Sequence, residues 1–346
     1  MITLGIETSC DDTSICILKN SEDKNSLPEV LALHSFSQET ILQEWGGVVP
    51  EIAARNHLAK VTPLLKQTFN TAKISASEVD LIGVTTHPGL LGPLLTGVNA
   101  AKTLSLIHQI PINPVNHLYA HLEAIHLTEK VSYPYIGLLF SGGHSLFCLA
   151  NSSTDIKIIA STKDDAAGEA FDKGGKMLGL DYPAGKIIDD LAKDGDRLRY
   201  TFPIGLHHSK DGKMSFSGVK TSLRNFIEKN NIVISDKSSQ VMKDVCASYQ
   251  EAIVQAIVSK TKEVINLSEE HKSLPLVLGG GVACNSRLRA EIKSHFPQVH
   301  IVHPKYCTDN GAMIANYASR TIKNQFPFPE SLKLDARSRF IKKDKS

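Results

Sequence analysis

Two histidines one helical turn apart, in His117-Leu118-Tyr119-Ala120-His121, are the residues of this sequence best suited to holding a metal ion. Positions i and i+4 share one face of a helix, so both imidazoles can reach one divalent cation. The other reading is a pair of surface or helix-end histidines, in a chain that has 14 of them. Leu118 occupies the place where a HExxH metalloprotease needs its general-base glutamate, which weakens a protease reading. A third ligand has to come from elsewhere. Asp309, in Cys307-Thr308-Asp309-Asn310-Gly311, is the carboxylate candidate, unless it only caps the helix that follows.

Four other stretches could carry chemistry. Glu7-Thr8-Ser9-Cys10-Asp11-Asp12-Thr13 crowds hydroxyls and carboxylates into a tight turn, where amides can meet a phosphate and the acids can hold a cation or accept a proton; it could equally be only a turn. Ser141-Gly142-Gly143-His144-Ser145 lets a backbone approach a ligand closely and offers amide donors. The segment from Asp164 to Lys176 has capping acids and a small-residue helix that permits close packing around a ligand, with Asp172 able to accept from a ribose or simply to face solvent. Gly279-Gly280-Gly281 follows a strand and could let an adenine or ribose lie against backbone, but it has neither GxGxxG nor Walker A spacing.

These residues need elements to position them. Alternating apolar runs predict a three-strand meander over 2–7, 13–19 and 30–36, then a long helix from Val48 to Phe69 with Pro50 in its first turn. A buried strand over 80–86, a glycine loop and an apolar helix from about 94 to 107 follow. A second meander begins at Tyr135, and Leu4–Cys16 can be laid over Ile136–Cys148 so that Gly, Ser and Cys coincide; the second half has its own strand and glycine loop at 275–281. The architecture reads as duplicated. At 346 residues the chain has room for two domains, and 42% hydrophobic with 21% charged residues is an ordinary globular balance. A net charge of +2 supplies no broad basic surface for gripping nucleic acid. No apolar run approaches the ~18 residues of a membrane span, and no secretory signal is read, so the expected compartment is the cytoplasm. Six scattered cysteines without a CxxC pair predict buried reduced thiols.

Seven motifs in order carry a resemblance. They are Gly5-Ile6-Glu7-Thr8-Ser9-Cys10-Asp11, Gly46-Gly47-Val48-Val49-Pro50-Glu51, His117 with His121, Ser141-Gly142-Gly143-His144, Asp165 to Lys173, Gly280-Gly281-Val282-Ala283 with Asn285, and Thr308 to Met313. From Gly5 to about Ala318 the chain resembles the TsaD family, the bacterial tRNA N6-adenosine threonylcarbamoyltransferases. The resemblance implies an α/β fold of the actin-like ATPase superfamily. It has two ribonuclease H-like lobes, 1–125 and 126–320, the second with a helical insertion, a ligand site between them, and a partly basic tail at 321–346. It also implies metal ligands at His117, His121 and Asp309, with iron(II) or zinc as the ion. Substrate binding falls on Leu139, Phe140, Ser141, Gly142 and Gly143, with Asp172, Gly185, Asp189 and Asn285. The departures are small: Ala184 stands where many members have a glycine, and Gly174-Gly175 follows Lys173.

The implied reaction moves the threonylcarbamoyl group of threonylcarbamoyl-AMP to N6 of adenosine 37, next to the anticodon, in tRNAs that read ANN codons, and releases AMP. An exocyclic amine is a poor nucleophile, so positioning and charge stabilisation should dominate. The metal would orient the phosphate and threonyl part of the donor and act as a Lewis acid. Asp11 is the candidate proton acceptor. The implied ligands are threonylcarbamoyl-AMP or ATP; the implied partners are tRNA, a silent paralogue (TsaB) and a P-loop ATPase (TsaE). The tail from Lys333 to Ser346 either contacts tRNA phosphates or is a solvated end. Two other classes stay in view. A small-molecule kinase of the same superfamily needs magnesium on acids and has no use for helix-borne histidines. A non-catalytic scaffold has no use for a retained metal set.

Overall fold

The computed structural model describes residues 1–339 apart from 22, 24–25, 206–210 and 231–235. Ile2-Thr3-Leu4-Gly5-Ile6-Glu7 forms β1 (Ile2–Glu7), buried on both faces from Thr3 onward, which is why its sequence runs apolar without strict alternation. It pairs antiparallel with β2 (Asp12–Lys19), which pairs with β3 (Glu29–Ser37). After the short α1 (Glu39–Gln43), the predicted long helix is α2 (Pro50–Ala72), with proline at its first position and Lys73 at φ 57° ending it. Next come β4 (Leu81–His87), α3 (Leu91–His108), β5 (Ile112–Asn116) and α4 (His117–Glu123). The sheet order is β3-β2-β1-β4-β5, with β1, β4 and β5 parallel. Val61 and Leu64 of α2 and Leu94 and Val98 of α3 close its core with Leu4, Ile6, Ile82 and Val84.

The second sheet repeats this plan. It is built from β6 (Tyr135–Phe140), β7 (Ser145–Ala150) and β8 (Ile156–Ser161), then α5 (Ala167–Met177), α6 (Ala184–Ala192), α7 (Ser217–Asn230) and α8 (Gln240–Ile265). The last elements are β9 (Leu276–Gly279), α9 (Ser286–His295), β10 (Val299–Ile301) and α10 (Pro304–Cys307). Its order, β10-β9-β6-β7-β8, is that of the first sheet read from the other edge. The register repeats too: Gly5 faces Cys16 as Gly137 faces Cys148, at the Gly and Cys positions that coincide in the overlay of the two hairpins.

The chain divides into two compact units, Met1–Lys130 with Thr308–Ser346, and Val131–Cys307. The sequence reading carried the second lobe to 320, whereas α11 (Gly311–Arg320) packs on β1, β2 and β4 of the first unit. The cause is a pair of glycines facing each other across β1 and β4, Gly5 and Gly83. A Cβ on Gly83 would lie 2.5 Å from Ala318 Cβ, and one on Gly5 would collide with the Gly311 carbonyl, so only bare backbone admits the helix. The tail expected outside both lobes also packs on this unit: Phe326 bridges to Ile112, Ser331 Oγ lies 2.8 Å from Ser105 Oγ, and Leu334 and Ala336 are buried in the core. Its residues Lys342, Lys343, Asp344 and Lys345 lie outside the described residues. Among the described residues no helix is long and apolar enough to cross a membrane. Cys16, Cys148, Cys246 and Cys307 are buried as expected, Cys10 is half-buried, and Cys284, at the end of a 3-10 turn before α9, is exposed.

Candidate functional site

β5 ends at Asn116, whose side-chain oxygen accepts from the amides of Leu118 (2.9 Å) and Tyr119 (3.4 Å) and so starts α4. This cap sets His117 and His121 on one face, with ring centroids 4.6 Å apart and the rings nearly perpendicular. Asp309 arrives from the segment before α11. The capping there is done by Asn310, which accepts from Met313 N at 2.9 Å, so Asp309 is not the cap. His121 Nε2 lies 3.2 Å from His117 Nε2 and 3.1 Å from Asp309 Oδ1, and His117 Nε2 lies 3.5 Å from the same oxygen. Donors bound at roughly 2.0–2.2 Å to one ion stand about 3.0–3.6 Å apart, so the triangle has the size a metal requires. Both histidines are buried, while the Asp309 side chain is 22% exposed and leaves the triangle reachable.

The surrounding charge also fits a cation. Glu7, fully buried at the end of β1, receives the Thr85 hydroxyl at 2.6 Å and faces His117 Nδ1 at 3.0 Å. Burial alone would raise the Glu7 carboxyl, but the neighbouring His117 ring and the Thr85 hydrogen bond hold it below its ordinary value. Burial works against a charged His117 ring, yet Asp309 and Glu7 together lift it to about 9. Asp12 is pushed up to about 8, first by burial and then by Asp309 and Asp11. Carboxylates crowded enough to keep a proton on one of their own number form a site short of positive charge, which a divalent ion would supply.

Asp11 lies in the β1–β2 turn beside Cys10 and Asp12, outside the triangle. Glu7 is the residue that sequence reasoning missed in a specific role: it was one acid among several in the turn. Its signal was a carboxylate closing an otherwise buried strand, which requires a partner. Among the described residues His121 Nδ1 has no hydrogen-bond partner, whereas His117 Nδ1 is held by Glu7 and by Ser9 Oγ at 3.2 Å.

In the second unit Leu139 and Phe140 are buried in β6, so only their backbone is available to a ligand. Ser141 N donates to His144 O at 2.8 Å and closes the turn that carries Gly142 and Gly143, both exposed with open space around them. Asp172 accepts from Ala184 N at 2.9 Å and thereby joins Gly185 at the start of α6, and burial raises its carboxyl. Asp189 accepts from Ser286 N (3.0 Å) and Ser286 Oγ (2.8 Å), and the neighbouring Asn285 donates to Gln250 at 2.6 Å and caps α9. The structure thus pairs Asp172 with Gly185 and Asp189 with the turn holding Asn285; Gln250 was not foreseen. Two small residues of α5 are required by protein packing. A Cβ on Gly174 would lie 2.5 Å from the Tyr249 ring, and one on Gly175 would collide with Ala184.

Residues 29–316 match the family described as TsaD: tRNA N6-adenosine threonylcarbamoyltransferase. The chain belongs to that family. A protein of this name from Anaeromyxobacter sp. (strain Fw109-5) is 43% identical over 321 residues, covering 91% of this chain and 92% of the relative. One from Thermosipho africanus is 42% identical over 91% and 92%, and one from Streptococcus pneumoniae 40% over 91% and 90%. Among solved structures, HypF from T. kodakarensis superposes with a TM-score of 0.59 at 13% identity, over 96% of this chain and 49% of that one. The activator of 2-hydroxyisocaproyl-CoA dehydratase from Clostridium difficile, with bound ADPNP, gives 0.54 at 13% identity, over 93% and 96%. These likenesses speak to fold alone, and the fold of this TsaD family member is that of the actin-like ATPases.

Proposed function

We propose that this transferase moves the threonylcarbamoyl group of threonylcarbamoyl-AMP to N6 of adenosine 37 in tRNAs reading ANN codons and releases AMP. The observation that carries the reading is the His117, His121 and Asp309 triangle in a chain of the TsaD family. His117, His121 and Asp309 would hold iron(II) or zinc, the ions that two imidazoles and a carboxylate suit. When bound, the metal supplies positive charge and Lewis acidity toward the donor's oxygens.

The chain's own groups account for the rest. The amides of Gly142 and Gly143 neutralise phosphate charge, while that of Ser141 closes their turn on His144 and the backbone of Leu139 and Phe140 lies behind them. Asp172, Gly185, Asp189 and Asn285 hold the nucleoside of threonylcarbamoyl-AMP or ATP. Asp11 takes the proton that the amine loses as its nitrogen attacks the carbonyl. The work takes place in the cytoplasm, with a silent paralogue and a P-loop ATPase as partners that compensate for the chain's near-neutral charge in gripping tRNA. The kinase reading is not favoured, because the relatives carry the transferase name and a kinase has no use for the paired imidazoles.

Mass spectrometry of nucleosides from bulk tRNA of a depleted host tests the reading. Threonylcarbamoyladenosine is expected to vanish and to return with the intact chain but not with His117→Ala, His121→Ala; its persistence at normal level without a second copy would overturn the transferase. In the same assay Asp11→Asn is expected to lower transfer by about 10²–10⁴-fold, and full activity with normal donor binding would remove Asp11 from its role.

A further inference from the structure

The basic end of the chain has no part in the proposed reaction, yet the fold carries it to the site. Residues 335–346 hold five basic and two acidic side chains, a net +3 in a chain whose total is +2, so the rest is left at −1. All the positive excess of a near-neutral protein therefore sits in its last 12 residues. Arg337 and Arg339 are the basic groups of this stretch that the structure describes, and both are exposed. Among the described residues neither guanidinium has an ion pair or a hydrogen bond.

The arginines stand on a segment that is pinned in place. Leu334 and Ala336 anchor it in the core of the first unit. Arg337 N donates to Thr86 O at 2.8 Å and Gly89 N donates to Ser338 O at 3.3 Å, so the segment crosses the end of β4 and the loop after it. β1, β4 and β5 run parallel and end together at Glu7, His87 and Asn116, on the edge where β5 delivers His117. Ligands of open α/β sheets bind beyond this edge. Close contacts link the segment to the metal triangle. Gly89, bonded to Ser338, packs so tightly on the first hairpin that a Cβ there would lie 2.6 Å from Ser9 O, and Ser9 Oγ lies 3.2 Å from His117 Nδ1. Burial lowers the His87 ring and the charge of Arg337 adds to the effect, which puts that guanidinium beside the end of β4.

We propose that this segment is a phosphate-gripping rim for the tRNA substrate, with Arg337 and Arg339 meeting backbone phosphates next to the target adenosine. The inference rests on the transfer reading. A base that enters the site brings its flanking phosphodiesters with it, and their charge has to be met at the rim. Phosphate contacts supply affinity and fix register, and they need cations rather than sequence-reading groups. Arginine suits the task, because its planar fork pairs with two phosphate oxygens at once. The anchoring of Leu334 and Ala336 reduces what has to be ordered when the RNA arrives. The rest of the chain, at −1, has no positive excess to offer instead.

Fluorescence anisotropy of a labelled tRNA that reads an ANN codon, titrated with the full chain between about 50 and 200 mM salt, tests the proposal. Arg337→Gln with Arg339→Gln is expected to weaken binding and to lower the slope of log affinity against log salt by about 0.7 per arginine, roughly 1.4 for the pair. Arg337→Lys with Arg339→Lys keeps both charges and should keep the slope. Neutralising two exposed lysines of the second unit, Lys157→Gln with Lys272→Gln, should leave it unchanged. Circular dichroism melting checks that every variant folds as the intact chain does. A slope untouched by the glutamine pair, an equal loss from the lysine pair, or no tRNA binding by the intact chain would overturn the proposal. The transfer reading falls separately, on persistence of threonylcarbamoyladenosine in the depleted host.

Discussion

At the scale of single residues the proposed metal centre depends on a carboxylate that is not a ligand. Glu7 fixes which ring nitrogen of His117 carries hydrogen, because its Oε2 faces Nδ1 at 3.0 Å and leaves Nε2 pointing at His121 and Asp309. Orienting groups of this kind are worth about 10–100-fold in metal affinity. Glu7→Gln keeps the shape and removes the charge, so chelator-competition titration is expected to show a loss of that size; unchanged affinity would assign Glu7 to packing alone. The histidines were legible from i, i+4 spacing, which a helix converts into proximity without help from the rest of the chain. Asp309 was legible as a ligand or a cap, and the structure gives the cap to Asn310.

At the scale of elements, glycines decide how closely α5 approaches the β6–β7 turn. A Cβ on Gly168 would lie 2.5 Å from Ser141 O and 2.6 Å from Gly142 Cα, whereas Cβ atoms on Gly142 and Gly143 would meet nothing within 4 Å. Gly168→Ala must therefore push the helix off the hairpin and is expected to cost about 1–3 kcal/mol in chemical denaturation, while Gly142→Ala should stay within about 0.5 kcal/mol. Equal costs would show that the hairpin and helix yield independently. The hairpin glycines drew attention in the sequence because they are adjacent. Gly168 stood inside an ordinary small-residue helix, and its demand comes from Ser141 and Gly142 of a hairpin turn distant in sequence.

At the scale of the whole molecule, buried ionisable groups couple folding to pH. Burial pushes His126 down to about 4 against the pull of Glu123, with Arg320 adding to the depression. Between an unfolded value of 6.5 and a folded value of about 4, the unfolded chain binds a proton that the folded chain does not. Stability from this residue is therefore full above pH 6.5 and declines as pH falls through that window. Relative to His126→Leu, the intact protein is expected to lose on the order of 2 kcal/mol more on going from pH 7 to about 5, read by urea unfolding at both values. Parallel pH profiles would mean that His126 is protonated in the fold. By itself the sequence determined the two meanders, the long helix after the first, the two strand, glycine loop and helix units, the repeat in which Gly, Ser and Cys coincide, and the candidate histidines, because periodicity, spacing and turn chemistry are local properties. Only the tertiary structure decided that α11 and residues 326–337 return to the first unit and that Glu7 serves His117. Each of these joins residues distant in sequence, and which distant surfaces meet is set by what fits, as the bare backbone of Gly5 and Gly83 fits α11.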